Sequence, residues 1–365
     1  MGRGSDVGSA NGSLEALLGR PTIPVRDAEL GGYVAGATVL VTGAAGCLGT
    51  ALSGRLARLG AGTLVLVDHA EAPLCELTAV LRDDGFDGAV PVLADLRRAA
   101  RAYDVVERHR PDVIFHAAAY KQVPLLEAHP VEGVATNVLA TRHMVAAART
   151  AGVERFVLFS TDKAVQPTSV LGRTKALAEW LVAAAGHPRY TSVRLANVVD
   201  STGSIVPLFR RQIARGGPVT VTHPHTTRYL MTSSEAVGLA IVAGAEGDSE
   251  SVCWLDVGPP VRVLDLARRL VGDAPVKIEL VGLRPGERVH EQLCAEGEEV
   301  RATSCERVYR SPLPRVNVDW LEAWMFVLER AVEESADAAV RAALDELLGV
   351  VQEEKAAPLT AGVAR

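Results

Sequence analysis

The chain opens into a regular alternation of two patterns. Short runs of apolar, often β-branched residues are separated by longer segments whose apolar positions recur at helical spacing. ATVLVTG (37–43) predicts a first strand ending in glycine, and LGTALSGRLARLG (48–60) a helix. TLVLVD (63–68) predicts a second strand and AEAPLCELTAVLRDD (70–84) a second helix. AVPVLAD (89–95), DVIFHAAA (112–119) and RFVLFS (155–160) read as three further strands, with a long helix over VATNVLATRHMVAAARTAG (134–152). Strands that are apolar along their whole length are buried on both faces. With helices between them they predict an α/β fold, a Rossmann-like doubly wound parallel sheet. The rhythm breaks after SVRLANV (192–198), and a smaller mixed region follows. VCWLDV (252–257) predicts a return to the sheet, LEALLGR (14–20) a short early helix, and the stretch from about Trp320 to Glu354 helices with charged faces. The expected divisions are an N-terminal extension (1–35, partly disordered), a Rossmann domain (36–198), a substrate-binding region (199–315) and C-terminal helices with a tail (316–365).

Composition narrows the function. At 365 residues and 48% hydrophobic, the chain can bury a large core. A net charge of −6 gives no electrostatic case for binding nucleic acid or an anionic membrane. No apolar run reaches the roughly 18 residues of a membrane helix. The start, MGRGSDVGSANGS, has no apolar signal core, and Asp6 stands where myristoylation requires Ser or Thr. The five cysteines (Cys47, Cys75, Cys253, Cys294, Cys305) are scattered without CxxC spacing. Neither a disulfide framework nor a metal site is expected, and a reducing cytoplasm is the expected compartment. There are only five lysines, Lys121, Lys163, Lys175, Lys277 and Lys355; arginine supplies the other basic residues. A lysine kept against that bias suggests chemistry arginine cannot do, such as losing a proton.

VTGAAGCLG places Gly43, Gly46 and Gly49 at a strand-to-helix turn. Gly43 permits the tight turn, Gly46 close approach of a pyrophosphate, and Gly49 close packing of helix on strand. The flanking strand and helix, and Asp68 ending the next strand, raise this above an ordinary glycine-rich turn. Asp68, with no arginine directly after it, points to NAD rather than NADP, because a carboxylate repels a 2′-phosphate. Asp95, ending the third strand, is either an adenine contact or the N-cap of the helix that follows.

Four further segments carry a resemblance. They are HAAAYKQVPLLEAHP (116–130), STDKAVQPTSVLGRTK (160–175), GGPVTVTHPHTTRYLMT (216–232) and GLRPGERVHEQL (282–293). From about Leu17 to about Leu313 the chain resembles the extended short-chain dehydrogenases that act on nucleotide sugars. It is most similar to their polysaccharide-biosynthesis branch, which contains UDP-N-acetylglucosamine 4,6-dehydratases. Longer members carry membrane helices ahead of this region; none is expected here.

The resemblance implies roles. The superfamily's usual proton-transfer residue is a tyrosine four residues before Lys175, where this chain has Leu171. Longer members carry methionine there and assign the chemistry to the Thr-Asp-Lys matching Thr161, Asp162 and Lys163. Lys163 fits the base that takes a C5 proton if Lys175 lowers its proton affinity, and Asp162 the acid if burial raises its own. Thr161 fits a hydrogen bond to the C4 oxygen. Residues 162 and 163 could instead pair only with each other. Lys175 is expected on the nicotinamide ribose, with Tyr120 and Lys121 bordering the cleft. Tyr120 serves either as a proton relay or in packing. Arg284 and Glu287 resemble the uridine-diphosphate contacts; Asn197 and Arg228 are further candidates or make backbone and surface pairs. A homo-oligomer paired through helices flanking the sheet is expected.

The expected activity is a UDP-sugar 4,6-dehydratase using tightly bound NAD, with a 4-epimerase, a 5,6-dehydratase and a non-catalytic NAD sensor as alternatives. The family's FGNVLGSRGSV reads LANVVDSTGSI (195–205) here, so Ala196, Asp200 and Thr202 depart from it, as do Gln122 and His225. A lost cation at 202 and a gained anion at 200 are expected to alter the sugar or diphosphate site. His116 reads as a satisfied core histidine, His223 and His225 as loop residues, and Trp320 and Trp324 as core or subunit contacts.

Overall fold

A computed structural model describes residues 14–24 and 32–356. The disorder expected before residue 14 falls outside the described residues. Helix α1 (Leu14–Leu18) comes first, and the alternating half follows as β1 (Thr38–Thr42), α2 (Cys47–Arg58), β2 (Thr63–Asp68), α3 (Glu71–Asp83), β3 (Ala89–Leu93), α4 (Ala99–His109) and β4 (Val113–His116). Next come α5 (Val123–Ala128), α6 (Pro130–Val134), α7 (Ala140–Ala151), β5 (Arg155–Thr161), α8 (Val170–Ala184) and β6 (Tyr190–Leu195). The mixed region holds β7 (Asn197–Val198), α9 (Ile205–Ala214), β8 (Val219–Val221), β9 (Thr227–Arg228), β10 (Leu230–Met231), α10 (Ser233–Glu246) and β11 (Ser251–Leu255). The chain continues through β12 (Val261–Arg262), α11 (Val263–Val271), β13 (Ile278–Leu280), β14 (Arg301–Ala302), β15 (Val308–Pro312), α12 (Val318–Glu333) and α13 (Asp337–Ala356).

The main sheet among the described residues runs β14-β15-β11-β6-β5-β4-β1-β2-β3. Its strands are parallel from β3 to β11, and β15 and β14 add an antiparallel edge. Strand order reverses between β1 and β4, the switch point where doubly wound sheets open a ligand crevice. The alternation of the strands explains the two-sided cover. Val39, Val41, Val113 and Phe115 pack on the face that α2, α3 and α10 cover. Leu40, Ile114, Phe156 and Leu158 pack on the other, with α4, α7 and α8.

Two segments read as single elements are split. SVRLANV breaks at Ala196: β6 stays in the main sheet, while β7 peels off to pair with β10. The long helix widens to a π-turn over Ala135–Leu139 between α6 and α7. Its Asn137 accepts from Tyr120 N–H at 2.8 Å and donates to Tyr120 C=O at 3.0 Å, so the turn anchors the loop after β4.

Both ends of the described chain are tied down. Leu17 and Leu18 of α1 pack with Val199, Leu230 and Leu266, and Arg20 meets the buried Glu235 at 2.6 Å. The C-terminal helices form a hairpin whose Leu321, Met325, Leu328 and Leu344 pack with Leu177, Trp180 and Leu181 of α8. That outer face of α8 is therefore filled within one chain. Trp320 and Trp324 stack edge to face, 6.3 Å apart, at the border of this cluster. Among the described residues no helix is long and apolar enough to cross a membrane. Met325 is fully buried in the hairpin contact, so Met325→Ala is expected to cost about 2–5 kcal/mol in denaturant unfolding.

Candidate active site

The glycine turn builds one end of the cleft. Gly43 has φ +61°, and a Cβ there would lie 2.8 Å from the backbone of Ala118 in the loop after β4. A Cβ on Gly49 would lie 2.1 Å from the Gly43 carbonyl oxygen, so α2 can press onto β1 only without a side chain. Gly46, the N-cap of α2, makes no side-chain capping bond, which leaves the helix's first N–H groups to an anion. Gly43, Gly46, Asp68 and Asp95 line one cavity of about 300 Å³. Asp68 is held by the N–H groups of Ala45 and Ala70, each at 3.0 Å. Asp95 grips Arg97 at 2.8 Å, and that hydrogen bond holds its carboxyl below the usual range. The N-cap of α4 is Arg98, so Asp95 does not play the capping role that was its alternative. A dinucleotide fits this end: a turn without side chains, a bare helix N-terminus and a carboxylate at the end of β2.

A second cavity, of about 400 Å³, shares Ala117 and Tyr120 with the first. The three lysines that the motifs single out, Lys121, Lys163 and Lys175, all border it. So do Thr161, Leu171, Asn197, Arg228, Arg284 and Glu287. Asp162 does not line it and is fully buried. Its Oδ1 accepts from Thr161 Oγ1 at 2.8 Å and from Lys163 Nζ at 2.9 Å. The pairing of residues 162 and 163 is thus present, yet Lys163 also faces the cleft, where Nζ donates to Asn197 Oδ1 at 3.1 Å.

The carboxylate that does border the cavity is Glu291, which the sequence reading passed over. It lies in the same GLRPGERVHEQL segment as Arg284 and Glu287. Its Oε1 is 3.7 Å from Lys163 Nζ. Burial, and the charge of Asp162, push its carboxyl above the usual range against the pull of Lys163.

The lysine with the clearly displaced proton affinity is Lys175, not Lys163. Lys175 sits 4% exposed on α8, and burial pushes it down to about 8, with Glu179 opposing. Glu179 is itself held by Arg194 at 2.8 Å and by the Ser160 hydroxyl. Lys121 is lowered by burial and reaches Ser201 Oγ at 3.3 Å. Leu171 lies in the first turn of α8, whose N-cap Ser169 accepts from Gly172 N–H at 3.1 Å. Tyr120 is 38% exposed where the two cavities meet, which is not the placement of a packing aromatic.

Arg228 spends its guanidinium on three carbonyls, those of Thr227, Arg288 and Val289, while bordering the cavity. Arg284 stands at the rim and forks onto Glu287. Burial raises the Glu287 carboxyl, but the Arg284 hydrogen bonds outweigh it and hold the group below its usual range.

His116 is buried between Thr42 Oγ1 at 2.7 Å and Thr141 Oγ1 at 3.1 Å, and burial pushes it down to about 3. His223 and His225 stand side by side between β8 and β9, ring centroids 5.6 Å apart. Asp200 does not enter the cleft as its position suggests. It accepts from Ser233 N–H at 2.9 Å and Ser233 Oγ at 2.6 Å at the start of α10.

The buried ammonium of Lys175 sets a pH-dependent cost. Because its folded-state proton affinity is depressed, the cost is fully present below pH 8 and fades as pH climbs toward the ordinary lysine range. Lys175→Met is expected to be more stable than the parent at pH 7, by on the order of 3 kcal/mol, with the gap closing above pH 8. Thermal unfolding of both proteins across that range measures it.

Comparison with known proteins bears on the same residues. The model of a family described as "Polysaccharide biosynthesis protein" matches residues 39–312. The probable polysaccharide biosynthesis protein EpsC of Bacillus subtilis (strain 168) is 35% identical over 361 residues, 94% of this chain and 58% of its own length. The capsular polysaccharide biosynthesis protein CapD of Staphylococcus aureus is 36% identical over 308 residues, 81% of this chain and 51% of its own. The chain thus spans about half the length of these two curated relatives. A UDP-glucose 4-epimerase of Rickettsia rickettsii (strain Sheila Smith) is 31% identical, over 76% of this chain and 83% of its own. Among solved structures, Pen from Bacillus thuringiensis superposes with a TM-score of 0.71 at 26% identity, over 80% of this chain and 99% of that one. With most of its length matched, the chain belongs to the polysaccharide biosynthesis protein family, a branch of the extended short-chain dehydrogenases.

Proposed function

We propose that the chain is an NAD-dependent nucleotide-sugar 4,6-dehydratase, acting on UDP-N-acetylglucosamine or a related UDP-hexose. The observation that carries this reading is the cleft-facing Lys163, flanked by Asp162 and Glu291, in a site where Leu171 replaces the phenol. Moving a hydride to and from C4 needs one proton-transfer group at the C4 oxygen. Removing water across C5 and C6 needs a base for carbon and an acid for oxygen, and this cleft has an amine and a carboxyl to supply them.

Gly43, Gly46, Gly49 and Asp68 would hold NAD, and Lys175 its nicotinamide ribose. When bound, NAD supplies a reversible hydride acceptor. The side chains do the rest. Thr161 orients the C4 hydroxyl, and Tyr120, where the two cavities meet, relays its proton to solvent. Once C4 is a ketone, the C5 proton is acidic enough for an amine to remove. Lys163 takes it. Arg284, released from Glu287, offers a bidentate fork to the diphosphate at the rim. Lys121 and Asn197 face the sugar between these ends.

A 4-epimerase is the second reading, and the Rickettsia relative favours it. Leu171 opposes it, because a leucine cannot move the C4 proton.

Incubation with UDP-N-acetylglucosamine is expected to yield a 4-keto-6-deoxy sugar that carries solvent deuterium at C5. A 4-epimer without deuterium at C5 establishes the second reading. Lys163→Met is expected to abolish the exchange while cofactor stays bound; exchange that survives in that variant removes Lys163 as the base.

A further inference from the structure

The dehydration needs an acid at the C6 hydroxyl, and the motif suggests Asp162. The geometry argues otherwise. Asp162 is fully buried and does not border the cavity, and its Oδ1 already accepts from Thr161 and Lys163. It anchors Lys163. Glu291 borders the cavity, and its Oε1 is 3.7 Å from the same ammonium. Its buried Oε2 makes no hydrogen bond, with the nearest cation, Arg288 Nη1, 4.0 Å away. A buried carboxylate oxygen with no hydrogen bond is costly unless the group takes up a proton or a ligand supplies the donor.

We propose that Glu291 is the acid of this reaction and that it exchanges one proton with Lys163, so that the pair acts as a single base-and-acid couple. The inference rests on the dehydratase reading above. At the outset Lys163 is an ammonium and Glu291 a carboxylate. One proton crosses from Nζ to the carboxylate, leaving an amine and a carboxylic acid. The amine then takes the proton from C5, and the C–H electron pair forms the C5–C6 double bond. As it forms, the C6–O bond breaks, and Glu291 gives its proton to the departing hydroxyl, which leaves as water. Lys163 and Glu291 end in the charges they began with, so the couple resets within each turnover.

The surroundings suit the exchange. Burial and the charge of Asp162 make Glu291 a better proton acceptor, while Lys163, Arg228 and Arg288 limit the effect. The gap of 3.7 Å is longer than a hydrogen bond, as catalytic pairs often are before substrate tightens them. Asn197, whose Nδ2 has no partner in the protein, accepts from Lys163 and can turn a donor toward the sugar.

The test uses purified holoenzyme mixed with UDP-N-acetylglucosamine and reads two steps separately. C4 oxidation is followed by the absorbance of reduced cofactor, and dehydration by the 4-keto-6-deoxy product. Glu291→Gln is expected to retain cofactor and C4 oxidation and to lose dehydration by about 10²–10⁴-fold, so reduced cofactor accumulates. Dehydration within about tenfold of the parent overturns the assignment. So does a folded, cofactor-loaded variant that has lost both steps, since that marks a structural role. If Glu291→Gln does not yield holoenzyme, Glu291→Asp, which keeps the carboxyl one methylene back, is expected to slow dehydration more than oxidation; equal slowing overturns the assignment. A parent enzyme that releases no water from any UDP-hexose sinks the dehydratase reading itself, a result distinguishable from the others because it appears before any variant is made.

Discussion

The parallel register of β1, β4, β5 and β6 is the constraint on which the site depends. Thr42, His116 and Leu158 lie across from one another in the sheet, and Thr161 lies across from Leu195. Parallel strands bring all their carboxyl ends to one edge, and the order reversal between β1 and β4 opens that edge into a crevice. The glycine turn after β1, the Tyr120 loop after β4, the Thr-Asp-Lys after β5 and Asn197 after β6 therefore converge without any one of them being near another in sequence. Hydrophobic burial on both faces of the sheet keeps the strands in that register.

At this edge the protein holds charges that would be costly elsewhere. Lys175 stays nearly fully buried because Glu179 lies one helical turn along α8, braced by Arg194 and Ser160. Lys163 stands between Asp162 and Glu291. Two amines in one cleft thus have different surroundings. One is set by desolvation, the other by opposite charges, and only the second has a carboxyl on the cavity wall beside it.

Closure of the site from outside comes from distant parts of the chain. Arg20 and Ile23 N–H hold Glu235 at the start of α10. Glu127 accepts from Val170 N–H at the head of α8 and pairs with Arg341 of α13 at 3.1 Å. A Cβ on Gly286 would also strike Glu127 at 2.6 Å, so the Arg284 loop packs against the same carboxylate. The helix that carries Leu171 and Lys175 is therefore held at its first turn by groups from the loop after β4, the substrate side and the C-terminal hairpin.

Much of this was legible in the sequence for a local reason. Gly43, Gly46 and Gly49 act within one turn, Asp68 ends the next strand, and period-two burial shows in ATVLVTG and RFVLFS. The sparse lysines pointed to the cleft because arginine bias left Lys121, Lys163 and Lys175 inside motifs. What spacing could not show was environment. Asp162 follows Thr161 directly, yet strand alternation and the turn after β5 bury it behind the cleft. Glu291 lies far along the chain from Lys163, and only the fold brings it to 3.7 Å from the amine. Asp200, a departure in a sugar-binding motif, turns out to hold the start of α10 instead. Sequence determined which side chains were available and which strand ends would carry them, because those follow from local pattern. Tertiary structure decided which of them face the cavity and which charge stands beside which, because solvent exposure and Coulomb energy depend on distances that span the whole chain.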